Sequence, residues 1–176
     1  SNKGRKPHCT PKYKDWFLSR PTVEVLRFDT PAEFLDATKA FRSNDPVRTG
    51  LITSIATSVA TGSRTYEGYF WWAAIEGNEV QGLAIRTLPY GYVFSPMSND
   101  AVEALYSFIA IEDSVAHEFA GPKSVIDFLE TVSGKQVSEE ESELIYENRK
   151  LIRATPVGDV RTAAAQDFDL IFKWMQ

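Results

Sequence analysis

The sequence is poor in the residues from which disulfides and metal centres are built. It has one cysteine, Cys9, and two histidines, His8 and His117, in 176 residues. A single cysteine cannot form an internal disulfide, and it excludes zinc sites that need several cysteines. His117 stands next to Glu118, but a metal site needs further ligands at suitable spacing, so we expect none. His117 is interpreted as a structural residue at a strand end, with a general base as the alternative.

Long apolar runs and familiar catalytic motifs are also missing. No apolar stretch approaches the roughly 20 residues that a membrane helix needs, and the first residues contain no apolar core of a secretion signal. Together with the lone cysteine, this predicts a cytoplasmic protein that does not enter a membrane. Neither the Gly-x-Ser-x-Gly elbow of serine hydrolases nor the Gly-x-x-x-x-Gly-Lys-Ser/Thr phosphate loop occurs.

Basic residues are scarce outside the first 20 positions. Residues 1–20 hold six Lys and Arg against one acidic residue, Asp15. The other 156 residues therefore carry 13 basic and 23 acidic residues, a net charge of about −10. Duplex nucleic acid needs basic side chains to neutralise its phosphates, so we expect no duplex nucleic-acid partner. The basic segment is interpreted as a solvated terminus, with an acidic partner as the alternative.

What the sequence does contain is an aromatic meander. A continuous apolar run over residues 69–75 predicts a strand that is buried on both faces. Gly77-Asn78 then predicts a two-residue hairpin turn, in which Gly77 supplies the positive φ that a type II′ turn needs first. Return strands are predicted over residues 80–86 and 90–94. Because Trp71 and Trp72 would point to opposite faces, each needs its own cover: a helix, a ligand groove or a partner.

Alternating and helical patterns flank this meander. Residues 21–28 alternate as a half-exposed strand. Thr30 and Glu33 then predict a capping box that starts a helix, with Pro31 at its first position. Residues 114–119 and 144–151 are interpreted as short strands. Four helices are predicted from their apolar stripes: Phe34, Leu35, Thr38 and Phe41; Leu51, Ile52, Ile55 and Val59; Val102, Leu105, Tyr106 and Ile109; and Val125, Phe128, Leu129 and Val132.

The last residues have an organisation of their own. After the linker Thr155-Pro156-Val157-Gly158, residues 160–163 predict a strand and residues 164–175 a helix with Phe168, Ile171, Trp174 and Met175. These elements are interpreted either as the opening of a second domain or as a docking element of the first. The predicted organisation is a basic segment over residues 1–20, a domain over 21–153, and the linker with these elements over 154–176.

Several stretches carry a likeness to a known family. They are residues 69–77, residues 80–89, Glu118-Phe119-Ala120-Gly121-Pro122, and the segments 151–153, 160–163 and 167–175. With the predicted element order, these stretches resemble the GNAT acetyltransferase superfamily, and more closely the N-terminal half of tandem GNAT proteins. The resemblance covers roughly residues 22–176. It implies an α+β fold with a mixed, mainly antiparallel sheet flanked by helices.

The resemblance also implies a cofactor, acetyl-CoA. In the superfamily, backbone N–H groups of an Arg/Gln-x-x-Gly-x-Gly/Ala loop hold the pyrophosphate at a helix N-terminus. The counterpart here makes Ala120, Gly121 and Lys123 the candidate cofactor-binding residues. The loop departs from the pattern, because Glu118 replaces Arg or Gln, Lys123 replaces a small residue, and Pro122 lacks an N–H donor. Gly121 is therefore better explained as the turn that starts a helix.

In tandem proteins, the resemblance implies that the C-terminal half binds acetyl-CoA and transfers the acetyl group, while the N-terminal half is a degenerate copy. We therefore expect the non-catalytic N-terminal half of an N-acetyltransferase, with a second GNAT domain or a second copy of the chain as partner. No catalytic residue is assigned. Two alternatives stay open: a free-standing binding or dimerisation module, and an active single-domain acyltransferase that uses the Gly121 loop.

Overall fold

A mixed five-stranded sheet with helices on both faces is the frame of the molecule. The computed structural model describes residues 23–116, 118–136, 138, 141–150, 159 and 161–175. The chain divides into two units, residues 1–145 and 146–176, and each is described by itself. The α+β class and the flanked, mainly antiparallel sheet that the sequence predicts are confirmed.

The strands lie in the sheet in the order in which they follow one another along the chain. They are β1 (Glu24–Phe28), β2 (Tyr69–Glu76), β3 (Glu79–Thr87), β4 (Tyr92–Phe94) and β5 (Phe119–Ala120). The first four pair antiparallel, whereas β4 and β5 are parallel. Gly77 has a φ of 62° in the two-residue turn between β2 and β3, while Asn78 keeps a negative φ. The predicted meander and its turn are therefore confirmed.

Five helices accompany the sheet: α1 (Pro31–Ala37), α2 (Lys39–Asn44), α3 (Gly50–Ala60), α4 (Asn99–Glu112) and α5 (Lys123–Ser133). The capping box of Thr30 and Glu33 is present, as predicted. The first predicted helix is split at Thr38, whose hydroxyl donates to the carbonyl of Phe34 at 2.6 Å and accepts from Nε of Arg42 at 3.0 Å. Of the four residues predicted on the inner face of α3, Leu51 is exposed, whereas Ile52 is buried against the sheet, where the unpredicted Ala56 joins it.

The two tryptophans of β2 enter different cores. Trp71 packs with Phe34, α3 and the facing residues of β3. Trp72 packs on the opposite face with residues of α4 and α5. Both indole side chains are essentially fully buried. The prediction that β2 is buried on both faces is confirmed, and helices supply both covers.

A buried ion pair fastens the end of α4 to the sheet. Nη1 of Arg86, on β3, donates to Oδ2 of Asp113, the residue that ends α4, and each residue is 7% exposed. The same carboxylate oxygen accepts from the Tyr92 hydroxyl at 3.2 Å, and Nε of Arg86 donates to the Tyr90 carbonyl at 2.8 Å. Burial raises the pKa of Tyr92, and the charge of Asp113 raises it further. Tyr92 therefore keeps the proton that it donates.

The second unit contains a short 3₁₀ turn, Ala165–Asp167, and the helix α6, Phe168–Trp174. The Asp167 carboxylate accepts from the Ala164 N–H at 2.8 Å and from both terminal nitrogens of Arg161 at 2.7 and 2.8 Å. The hydrogen bond from Arg161 lowers the pKa of Asp167. The predicted final helix is thus confirmed.

Two predicted strands are wrong within the residues that the structure describes. Residues 144–150 of the first have no partner strand, and Leu144, Ile145 and Tyr146 are 77%, 68% and 84% exposed. Residues 161–163 of the second are also outside any strand. An apolar run without a partner strand leaves its backbone groups unpaired, so the residue pattern alone does not make a strand. Residues 151–158 lie outside the described residues, and the predicted domain boundary at residue 153 stays a prediction.

Replacing Asp113 with asparagine tests the buried ion pair. The Asp113→Asn change leaves the Arg86 charge buried without its partner, and we expect the free energy of unfolding to fall by about 3 kcal/mol. Urea denaturation measures this difference. The control is Asp127→Asn, which breaks the exposed pair between Lys123 and Asp127 and should change stability by less than about 0.5 kcal/mol. Equal losses in the two variants would contradict a structural role for the buried pair.

Candidate functional site

Two strand-to-helix junctions lie at one edge of the sheet. Because β4 and β5 are parallel, their carboxyl ends meet at the same edge. There Ser98 caps α4 and Pro122 precedes α5. In open sheets of α/β proteins, ligands bind outside the carboxyl ends of parallel strands. This edge, with Ala120, Gly121 and Lys123, is therefore where the predicted cofactor site has to be judged.

Gly121 has little room for a side chain, whereas its φ would not by itself require glycine. Its φ lies outside the positive range, which among the described residues only Gly62, Gly77 and Gly134 adopt. A Cβ atom at Gly121 would lie 3.1 Å from both the Cβ and the carbonyl oxygen of Phe94. The carboxyl ends of β4 and β5 therefore approach each other closely at Phe94 and Gly121.

The other two candidate residues already have partners within the chain. Ala120 is the last residue of β5 and pairs with Val93. Lys123 is highly exposed, and its Nζ donates to Oδ1 of Asp127 at 2.8 Å, so an acid already meets its charge. Pro122 stands at the N-cap position of α5 and has no N–H to donate. Ala120, Gly121 and Lys123 lie close together because they fall within four positions of the chain, and their role in binding acetyl-CoA stays a prediction.

The second junction, where Ser98 caps α4, was not identified from the sequence. Its hydroxyl accepts from the Ala101 N–H at 3.3 Å, so one N–H of the first turn is already used. Asp100 also lies in that first turn. Glu118 lies beside Gly91 at the amino ends of β4 and β5, and therefore not at this edge. A carboxylate near a helix N-terminus competes with a phosphate for the same positive field, so Asp100 disfavours a phosphate at the start of α4.

Two open grooves lie elsewhere on the first unit. One, of about 440 Å³, runs between α2 and α3 beside Arg42 and is lined mainly by hydroxyl side chains. The Arg42 guanidinium donates to Thr38 and Thr53, and partial burial lowers its pKa. The other groove, of about 500 Å³, is lined by residues 65–67 and 88–90. Neither groove is lined by Ala120, Gly121 or Lys123.

The described part of the chain contains no group of three or more His, Cys, Asp or Glu that could hold a metal ion. Within the same residues, no helix is long and apolar enough to cross a membrane. His8, Cys9 and His117 lie outside the described residues. The interpretation of His117 as a strand-end residue, with a base as the alternative, therefore stays a prediction.

The close approach of Gly121 to Phe94 can be tested by adding a side chain at position 121. Gly121→Val forces β4 and β5 apart, and we expect a loss of about 1–3 kcal/mol in the free energy of unfolding. The matched control is Gly50→Ala, at the first residue of α3, where an added Cβ meets nothing within 4 Å. That change should be neutral or stabilising by up to about 1 kcal/mol. Thermal unfolding of both variants gives the comparison, and a fully stable Gly121→Val would contradict the close contact.

Comparisons with family models, with curated proteins and with solved structures found no match to this chain. The likeness to the GNAT superfamily therefore rests on the sequence stretches quoted above, together with the order of the elements. Function has to be argued from the geometry of the sheet edge and of the two grooves.

Proposed function

We propose that this chain is the non-catalytic N-terminal half of an acetyl-CoA-dependent N-acetyltransferase of the GNAT type. The element order supports the proposal: β1, α1 to α3, the meander β2 to β4, α4, β5 and α5 follow the order that the resemblance implies. The last predicted strand of that order, over residues 144–151, is not present in the described residues. The support for the family therefore covers residues 24–133.

The observation that carries the non-catalytic part of the proposal is the closed contact between Phe94 and Gly121. In acetyl transfer, an amine nitrogen attacks the thioester carbonyl carbon, the carbon–sulfur bond breaks, and the thiol of CoA leaves. The reaction needs a base to accept the amine proton and N–H donors for the developing oxyanion. At this edge, the chain instead presents a closed strand pair, a proline and a lysine that is bound to Asp127.

Calorimetric titration with acetyl-CoA tests the proposal directly. We expect no saturable binding by this chain up to about 1 mM ligand, which corresponds to a binding free energy weaker than about −4 kcal/mol. Lys123→Ala, which removes the only candidate cofactor residue with a cationic side chain, should leave the titration unchanged. Saturable micromolar binding that Lys123→Ala weakens, together with acetylation of an amine, would instead establish the chain as an active single-domain enzyme.

A binding or dimerisation module is the second candidate function, and the exposed apolar side chains of α6 favour it. Phe168, Phe172 and Trp174 are 67%, 54% and 74% exposed. The two phenylalanine rings stack with their centroids 6.0 Å apart. Exposed apolar side chains of this size are typical of an interface.

Sedimentation of the chain over a range of concentrations tests this second function. A module that dimerises through α6 should sediment as a dimer at about 100 μM, and Phe172→Asp should restore the monomer because it places a charge in the apolar face. Tyr146→Ser, at an exposed tyrosine outside α6, is the control and should leave the dimer intact. A wild-type chain that stays monomeric throughout would exclude self-association through α6.

A further inference from the structure

The open groove of about 440 Å³ between α2 and α3 contains a positive charge, and none of the described residues that line it is acidic or aromatic. We call it the Arg42 groove; its polar lining residues are Arg42, Ser43, Thr53, Ser54, Thr57 and Ser58. The whole chain carries a formal net charge of −5. The local charge of this groove is therefore opposite in sign to that of the chain.

The Arg42 guanidinium is held in place by uncharged oxygen atoms. Its Nε donates to the Thr38 hydroxyl at 3.0 Å, its Nη1 to the Thr53 hydroxyl at 3.3 Å, and its Nη2 to the Leu35 carbonyl. Among the residues that the structure describes, no acid forms an ion pair with Arg42, and burial alone lowers its pKa. The guanidinium is thus positioned but its charge is not compensated, and these three bonds do not use all of its N–H groups.

The acid nearest to Arg42 along the chain is already paired with another arginine. The Asp45 carboxylate forms an ion pair with Nε of Arg48 and accepts from the Arg48 N–H at 3.1 Å. The backbone N–H and the guanidinium of Arg48 both lower the pKa of Asp45. The negative charge of Asp45 is therefore balanced by Arg48, and the charge of Arg42 stays available to a ligand.

Hydroxyl groups of α3 line the rest of the groove. The Thr53 hydroxyl donates back to the Thr49 carbonyl at 2.9 Å, as Thr side chains in helices often do. Ser54, Thr57 and Ser58 make no such bond, and their hydroxyls have no hydrogen-bond partner in the described part of the chain. Ser54 and Ser58 are four positions apart and therefore share one face of the helix. These hydroxyls can donate to a ligand that lies beside Arg42.

This lining restricts the class of ligand. A cation would be repelled by Arg42, and an uncharged ligand would leave the guanidinium charge without a partner. A phosphate ester supplies the missing negative charge and three terminal oxygens that accept hydrogen bonds, which suit the guanidinium fork and several hydroxyl donors at once. A carboxylate has a single charge and two acceptor oxygens, so it matches fewer of the donors.

We propose that the Arg42 groove binds the phosphate group of a small phosphate ester. The Arg42 guanidinium donates to the phosphate oxygens, and the hydroxyls of Ser54, Thr57 and Ser58 donate to the oxygens that face α3. Because Thr38, Thr53 and Leu35 already hold the guanidinium, little side-chain entropy is lost on binding. This inference goes beyond the proposed function and does not depend on it.

The test is a titration of the chain with three small molecules that share one carbon skeleton, followed by two-dimensional NMR. They are glycerol 3-phosphate, glycerate and glycerol. We expect glycerol 3-phosphate to shift the amide signals of residues 42–58 saturably, with a Kd below about 10 mM. Glycerate should bind several times more weakly, and glycerol should not saturate.

Three variants locate the binding surface. Arg42→Gln removes the charge and should weaken binding of glycerol 3-phosphate by about tenfold or more. Ser54→Asp places a carboxylate in the groove and should weaken it by a similar factor; Ser54 is exposed, so this variant keeps the test valid if Arg42→Gln fails to fold. Ser107→Asp makes the same change at an exposed serine of α4 outside the groove, and it should alter the Kd by less than about twofold.

Three results would overturn the proposal. The first is a titration with glycerol 3-phosphate that does not saturate. The second is equal affinity for glycerate, which would make the groove a general anion site. The third is an equal effect of Ser54→Asp and Ser107→Asp, which would mean that the phosphate senses only the net charge of the chain. Glycerol 3-phosphate has neither a thioester nor a nucleotide, so these results do not decide whether the chain binds acetyl-CoA.

Discussion

The structure depends on the burial of β2 on both faces. Trp71 and Trp72 are neighbours in sequence, and they anchor two separate hydrophobic cores, one beneath α1 and α3 and the other beneath α4 and α5. A charged side chain, Arg27, also contacts the border of the second core. The Arg27 guanidinium lies 5.5 Å from the centroid of the Trp72 ring and hydrogen-bonds Glu112 at the end of α4 at 3.4 Å. Because β2 contributes side chains to both cores, its register is strongly constrained. A slip by one residue would move each side chain to the opposite face of the sheet.

Local patterns predicted most of this frame. The apolar run of β2, the Gly77-Asn78 turn and the Thr30 capping box act within a few residues of the chain, so their physics is visible in sequence. The failures involve contacts between distant residues. Arg86 and Asp113 are 27 positions apart, and neither residue type indicates a buried pair. The run over residues 144–150 has the composition of a strand, but strand formation needs a partner, which composition does not reveal.

The same distinction between local patterns and distant contacts applies to the candidate site. The sequence located the turn at Gly121 and the missing donor at Pro122, since both follow from residue type. It did not show that Gly121 lies against Phe94, nor that α4 begins at the same sheet edge, because both facts come from the parallel pairing of β4 with β5. The contact between Tyr66 and Tyr90 was missed for a related reason. Tyr66 and Tyr90 belong to separate loops, and only the pairing of β2 with β3 brings their rings to 6.2 Å.

The shortness of β5 has a consequence for the behaviour of the protein at high concentration. Within the described residues, β1 and β5 are the two outer strands of the sheet. β5 has two residues and is followed closely by Pro122, so it offers too few backbone groups to template another strand. β1 carries the charged residues Glu24 and Arg27. Outer strands that are short, charged or blocked by proline keep sheet proteins from pairing strand to strand with one another. The outer strands β1 and β5 therefore protect the sheet against aggregation, although the inner strand β2 is among the most apolar stretches of the chain.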